Sequence, residues 1–203
     1  MGDTLLQETH HRCSNDLQMI VSLLSLQSRR ARSDETRVAL SDAADRFAVL
    51  AHARSAMFDG GTSSLEIALR RVCHALSLHA EPRSIAITFR VDQPVGDMPA
   101  DRIAAVTLVA NELITNAIKY AFQAGVPGQI TVTVGRSADG AAVVAVVDDG
   151  MPFPDQPPPG GSGLGLRLAR RLMTSIDGQL IEPTGTGKAF ELRFSNNNKQ
   201  VTA

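Results

Sequence analysis

The sequence is short of several things, and each shortage narrows what the chain can be. It has two cysteines, Cys13 and Cys73, with no CxxC pair and no zinc-type spacing. A CxxC redox motif and a spaced zinc site are therefore excluded, and buried thiols in a reducing cytoplasm are expected. It has no excess of one charge: 20 Lys and Arg stand against 21 Asp and Glu, a formal net charge of −1. Such a chain has no field that would hold nucleic acid or an anionic membrane, so neither is expected as a partner. No stretch approaches the ~18 apolar residues that span a bilayer. The start, "MGDTLLQETHHR", lacks the basic beginning and apolar core of a signal peptide. Leu6 stands where the myristoylation pattern needs Ser or Thr. A cytoplasmic protein is expected. No internal repeat is found. What is present is an ordinary globular composition, 43% hydrophobic and 20% charged, over 203 residues. That length suits one large domain or two small ones.

The apolar periodicity divides the chain in two. Residues 4–58 read as two long helices joined by a turn near "RSDE". Leu6, Cys13, Leu17, Ile20, Val21 and Leu24 recur by threes, fours and sevens on the first. Leu40, Ala43, Phe47, Leu50 and Met57 do so on the second, and Ser33 or Asp34 can cap its start. Leu23 and Leu26 lie off the main stripe and stay wet in a lone hairpin. A second copy would cover them in a four-helix dimer, and packing on the following domain is the alternative. "DGGTSS" at 59–64 breaks the pattern as a linker. Beyond it the signals alternate: a helix at 64–80, a strand "SIAITFRV", and a long helical segment over 101–123. Two strands, "QITVTVGR" and "AAVVAVVDDG", follow, then a Pro/Gly stretch, a helix at about 164–176, and strands "GQLIEP" and "KAFELRF". This order predicts an α+β chain: an antiparallel helical hairpin, then a two-layer α/β sandwich. The expected domains are 1–60, 64–194 and a disordered tail, 195–203.

Three motifs in the second half carry chemistry. In "NELITNAIKYAF", Glu112, Asn116 and Lys119 recur by four and three, which places them on one face of a helix. They bring a carboxylate for a water or metal, an amide oxygen for Mg²⁺, and an ammonium for phosphate. In "VVDDGMPFP" an apolar strand ends in two aspartates and a glycine. A carboxylate there can accept from an exocyclic amine such as adenine's, and Gly150 lets a base approach the backbone. In "GGSGLGLRLARRL", Gly161, Gly163 and Gly165 precede a helix whose first N–H groups suit phosphate oxygens. The setting is neither a Rossmann turn nor a P-loop.

In this order the three motifs resemble the N, G1 and G2 boxes of the GHKL ATPase superfamily, which includes histidine kinases and Hsp90-like and gyrase-like ATPases. The resemblance covers roughly residues 64–194. It implies ATP bound with Mg²⁺ held by Asn116, adenine read by Asp148, and a lid over 151–162 closing on the phosphates. Glu112, Lys119, Tyr120, Gly150, Gly161, Gly163, Leu164 and Gly165 complete the implied nucleotide set. "GTGKAF" is similar to the family's later Gly-Thr-Gly element, with Thr186 near the adenine. The family's usual DxGxG ends here in Pro152, and "DDGMPF" is similar to anti-sigma serine kinases of the same superfamily.

The N-terminal "ETHHRCSNDLQMIVSLLSLQSRR" resembles the phosphoacceptor helix of HWE-like sensor histidine kinases, whose core reads His-Arg-x-Lys-Asn-x-Leu. Ser14 replaces the lysine. Helical phase separates the two histidines: His10 falls about 40° from the centre of the apolar stripe and His11 about 140° away. His11, facing solvent, is the candidate acceptor of phosphate. Arg12 occupies the place where many such kinases carry an acid, and it suits a phosphate contact. Glu8, three residues before His11, could orient it or take its proton.

The expectation is a dimeric histidine kinase core that phosphorylates His11 from ATP and passes the group to an aspartate of a response-regulator receiver. Only a short segment precedes His11, so the input comes from a separate sensor protein or the chain is a piece of a larger one. Two rivals stay open here: a histidine phosphotransferase with a degenerate ATP domain, and an anti-sigma-type serine kinase.

Overall fold

The computed structural model describes residues 19–41, 43–44, 47, 64–152, 164–184 and 187–195. The chain forms two compact units, Met1–Thr62 and Ser63–Ala203.

In the first unit, helix α1 occupies 19–30 of the described residues and α2 begins at 34. The turn between them falls on the expected stretch. Ser33 is the cap: its Oγ accepts the Thr36 N–H at 3.2 Å, and its carbonyl accepts the Arg37 N–H at 3.0 Å. A side-chain oxygen here replaces a partner that the first helical turn cannot supply. Buried Ser28 closes the hairpin from the other side, donating to the Arg37 carbonyl at 2.9 Å. Leu23 and Leu26 are 53% and 44% exposed, as expected for residues off the stripe in a single copy.

The second unit is a five-stranded sheet with helices against one face. The strands are β1 (Ile85–Val91), β2 (Gly128–Arg136), β3 (Ala142–Asp148), β4 (Gln179–Ile181) and β5 (Ala189–Phe194). Their spatial order is β1-β2-β3-β5-β4, with β1 and β2 parallel and the other neighbours antiparallel. Alternation sets the faces: Ile130, Val132 and Val134 of β2 share the buried side with Val144 and Val146 of β3 and Leu192 of β5. Period-2 burial is what one covered face requires.

Three helices cover that face: α3 (Leu65–Ala80), α4 (Ala100–Asn116) and α5 (Leu164–Ser175). Helix α3 packs on β1, while α4 lies between α3 and α5 and reaches β3. This central place explains its sequence. Nearly every residue from Ile103 to Ile114 is buried, whereas α5 buries only the stripe containing Ala169 and Met173. A helix apolar all round belongs inside, and an amphipathic one belongs at the edge.

One sequence expectation changes. The helical segment 101–123 is not a single α-helix: α4 ends at Asn116, and Ala117–Ala121 form a wider π turn. Glu112 and Asn116 keep the α-helical spacing. Lys119 lies beyond the break, so its place relative to them is set by the π turn rather than by i, i+3 geometry.

Candidate nucleotide site

The two aspartates at the end of β3 have opposite surroundings. Asp149 is tied into the sheet: its Oδ1 accepts the Gln129 N–H at 2.7 Å and its own N–H reaches the Gln129 carbonyl at 3.1 Å. It prolongs the β2–β3 ladder by one step. Asp148 pairs with Ile130 and continues the inward phase of Val144 and Val146, so it turns toward the helical layer. It is half-buried. One oxygen accepts the Gly150 N–H at 3.0 Å, and Lys188 supplies a nearby positive charge. Desolvation pushes its pKa above the ordinary carboxylate value, against the Gly150 hydrogen bond and Lys188, with Asp149 adding repulsion. An ionised carboxylate has about four acceptor positions, and Gly150 uses one. Asp148 can therefore accept from an amine presented at this face.

Gly150 follows directly, pressed against the end of the π turn. A side chain there would place its Cβ 2.8 Å from the Ala121 carbonyl carbon. The next residue, Met151, donates its N–H to the Ala121 carbonyl at 2.7 Å. The Gly150 carbonyl accepts from the Lys188 ammonium. A backbone bond thus holds the aspartate loop to the π turn, and the Lys188 side chain holds it to the start of β5.

The glycine at the start of α5 makes the third connection. A Cβ on Gly165 would overlap the Glu112 carboxyl, lying 2.5 Å from its Cδ. Glu112 and its neighbour Asn111 are buried polar residues on α4. Only glycine lets the first turn of α5 approach that carboxylate so closely.

The structure therefore brings Glu112 to Gly165, and sets Asp148 and Gly150 beside the turn that carries Lys119 and Tyr120. Asn116, half-exposed, is the last residue of α4, and Tyr120 is exposed. Leu164 opens α5. Gly161, Gly163 and Thr186 lie outside the described residues, as do Glu8, His10, His11, Arg12 and the tail after Ser195. Two residues escaped the sequence reading. Lys188 follows "GTG" and could have been noticed there as a cation beside a nucleotide motif. Arg83, which bonds to the π turn, left no local signal at all.

A domain with this strand order, and with glycine backbone seated against the C-terminal half of a central helix, is a GHKL-type nucleotide-binding sandwich. Residues 78–193 match the histidine kinase-like ATPase domain, and residues 8–80 match a second family model, described as histidine kinase. The chain belongs to the histidine kinase-like ATPase family. It is similar to the sensor histidine kinase PdtaS of Mycolicibacterium smegmatis, with 34% identity over 185 residues, covering 88% of this chain and 36% of the relative. Blue-light-activated histidine kinase 2 of Erythrobacter litoralis is 28% identical over 192 residues, covering 91% of this chain and 55% of its own length. The chain thus spans about a third to a half of these relatives. The solved histidine kinase domain of the Erythrobacter litoralis EL346 blue-light-activated kinase shares the fold, with a TM-score of 0.64 at 24% identity, covering 96% of this chain and 92% of that one. Among the described residues, no helix is long and apolar enough to cross a membrane.

Proposed function

We propose that the chain is the kinase core of a two-component sensor histidine kinase, transferring the γ-phosphoryl group of ATP to His11. The observation that carries this reading is the convergence of three distant motifs: Gly165 on Glu112, and Gly150 and Met151 on Ala121. The match of residues 8–80 to a histidine kinase model supports it over the serine-kinase and relay alternatives.

Asp148 would read the adenine amine, with Gly150 admitting the base and Thr186 beside it. Tyr120 would flank the nucleotide, and Lys119 would meet phosphate. Gly161, Gly163, Leu164 and Gly165 would offer backbone N–H groups to the phosphates as α5 begins. No cluster of three or more His, Cys, Asp or Glu forms a self-sufficient metal site among the described residues. Mg²⁺ is commonly held by one or two protein oxygens with substrate phosphates and water. Asn116 would hold it, with Glu112 nearby through water, and the ion would neutralise charge on the transferring group.

A neutral imidazole nitrogen of His11 attacks the γ-phosphorus, the bond to the β-phosphate oxygen breaks, and ADP leaves. The imidazole proton passes to Glu8, and Arg12 contacts the transferred group. The phosphoryl group then moves to an aspartate of a response-regulator receiver, restoring His11. The domain roles follow: 1–60 for dimerisation and phosphotransfer, 64–194 for catalysis. Exposed Leu23 and Leu26 supply a face for the second copy. A cytoplasmic site of action belongs to the same reading.

The test uses purified chain, Mg²⁺ and γ-labelled ATP, followed by acid. The label is expected to be acid-labile, lost in His11→Ala and retained in His10→Ala. Acid-stable label, or label surviving His11→Ala, would refute the assignment. Glu8→Gln is expected to slow labelling, and an unchanged rate would remove Glu8 from the mechanism.

A further inference from the structure

Between α3 and β1 the chain makes a single 3-10 turn, Glu81–Arg83, with Pro82 at its centre and Ser84 ending it in the left-handed conformation at φ 59°. The Ser84 carbonyl accepts the Gly128 N–H at 3.1 Å, which ties the turn to the first residue of β2. Arg83 therefore projects from backbone that is fixed on both sides.

Its guanidinium forks onto the π turn. One nitrogen donates to the Ile118 carbonyl and the other to the Phe122 carbonyl, the latter at 3.2 Å. These two carbonyls bracket Lys119 and Tyr120. Ala121, between them, gives its carbonyl to Met151. A helix end leaves its last carbonyls without intrahelical partners, and here a side chain and the aspartate loop supply them. Phe122 anchors the far side: it is buried, and its ring occupies the space a side chain on Gly128 would need.

We infer that Arg83 is a positioning residue for the nucleotide, clamping the π turn so that Lys119 and Tyr120 stand in one arrangement before ATP arrives. The planar guanidinium suits this task because it holds two acceptors in fixed directions, which an ammonium does not. The inference rests on the ATP-binding reading above.

The chain supplies its own reporter, since Tyr120 is its single tyrosine and it has no tryptophan. Tyrosine emission therefore follows the π turn alone. Arg83→Met and Arg83→Lys are compared with the parent chain by thermal midpoint, by tyrosine anisotropy decay without nucleotide, and by ATP affinity with KM and kcat for autophosphorylation. Removing the fork is expected to speed the fast component of the tyrosine decay. It is also expected to raise the Kd and KM for ATP about tenfold in Arg83→Met, with a smaller rise in Arg83→Lys and kcat little changed. If Arg83→Met does not fold, Arg83→Lys carries the same readouts, because it keeps the charge and loses the fork. An unchanged tyrosine decay, or an unchanged ATP affinity, in the folded variants overturns the inference. A fall in kcat with KM unchanged overturns it too. Absence of ATP binding by the parent chain overturns the proposed function and the nucleotide part of this one, while the tyrosine decay still decides whether Arg83 holds the turn.

Discussion

The two units of the chain treat their apolar side chains in opposite ways. In the sandwich, Leu65, Leu69, Val106, Val132 and Leu192 have no exposed surface. On the described part of the hairpin, Met19, Leu23, Leu26 and Val38 are between 44% and 61% exposed. The sandwich closes a core with its own residues, although Ile67 and Leu78 of α3 stay exposed. The described hairpin residues bury no large apolar side chain and leave that surface for something else to cover. The same contrast recurs at the end of β3, on a smaller scale. Each carboxylate accepts one backbone N–H, but Asp149 is exposed and bound to Gln129 along the sheet, whereas Asp148 is half-buried and faces the helical layer.

That contrast can be broken by substitution. The largest effect is expected for Leu69→Ala, which empties a closed core and should cost the sandwich about 2–5 kcal/mol in denaturant unfolding. The matching change on the open side, Leu23→Ser with Leu26→Ser, should leave unfolding of the sandwich unaltered. It should weaken self-association by about 1.5–3 kcal/mol for each leucine the second copy covers, read by sedimentation equilibrium. Unchanged association would show that the hairpin face is not the dimer interface.

Gly165→Ala forces a methyl group into the Glu112 carboxyl. It should destabilise by about 1–3 kcal/mol and weaken ATP binding in the same variant, measured by urea melts and calorimetry. Equal binding with lowered stability would confine Gly165 to packing. Ser33→Ala removes the cap of α2 and should cost about 1 kcal/mol of helical stability, followed by circular dichroism.

The smallest effects sharpen the comparison most, because two adjacent residues should differ in sign. Asp149→Ala loses the bond to Gln129 and should destabilise by about 1 kcal/mol at neutral pH. Asp148→Asn should be at least as stable as the parent there, yet bind ATP more weakly. The sign follows from linkage. The folded state holds the Asp148 proton more tightly than the unfolded chain does, because burial penalises its charged form. Stability therefore falls as pH rises from the ordinary carboxylate pKa through the raised folded value, and the cost is full above both. The advantage of Asp148→Asn should accordingly vanish below the ordinary carboxylate range. A pH series of melts showing Asp148→Asn less stable at neutral pH would contradict the half-buried charge.

Much of the local structure was legible in the sequence. Alternation over "SIAITFRV" located β1 at Ile85–Val91, and the breaker cluster near "RSDE" located the turn that Ser33 caps. Glycines before an amphipathic run placed the start of α5 at Leu164. The assignment of 101–123 to one helix is incomplete, because the π turn has no signature in side-chain periodicity and depends on partners that take its carbonyls. Of those partners, Arg83 lies 35 and 39 residues before the carbonyls it holds, and Met151 lies 30 residues after its own. Lys188 likewise meets the Gly150 carbonyl only because β5 pairs beside β3.

Sequence by itself determined which segments became helices and strands and which faces would be apolar, since periodicity and caps act over a few residues. It also placed chemically apt side chains in three recognisable groups. Tertiary structure alone decided which of two neighbouring aspartates turned inward, which glycine had to meet Glu112, and how the end of α4 was held. Each of those outcomes is a contact between segments distant in the chain, settled by which backbone groups found partners once the layers had packed.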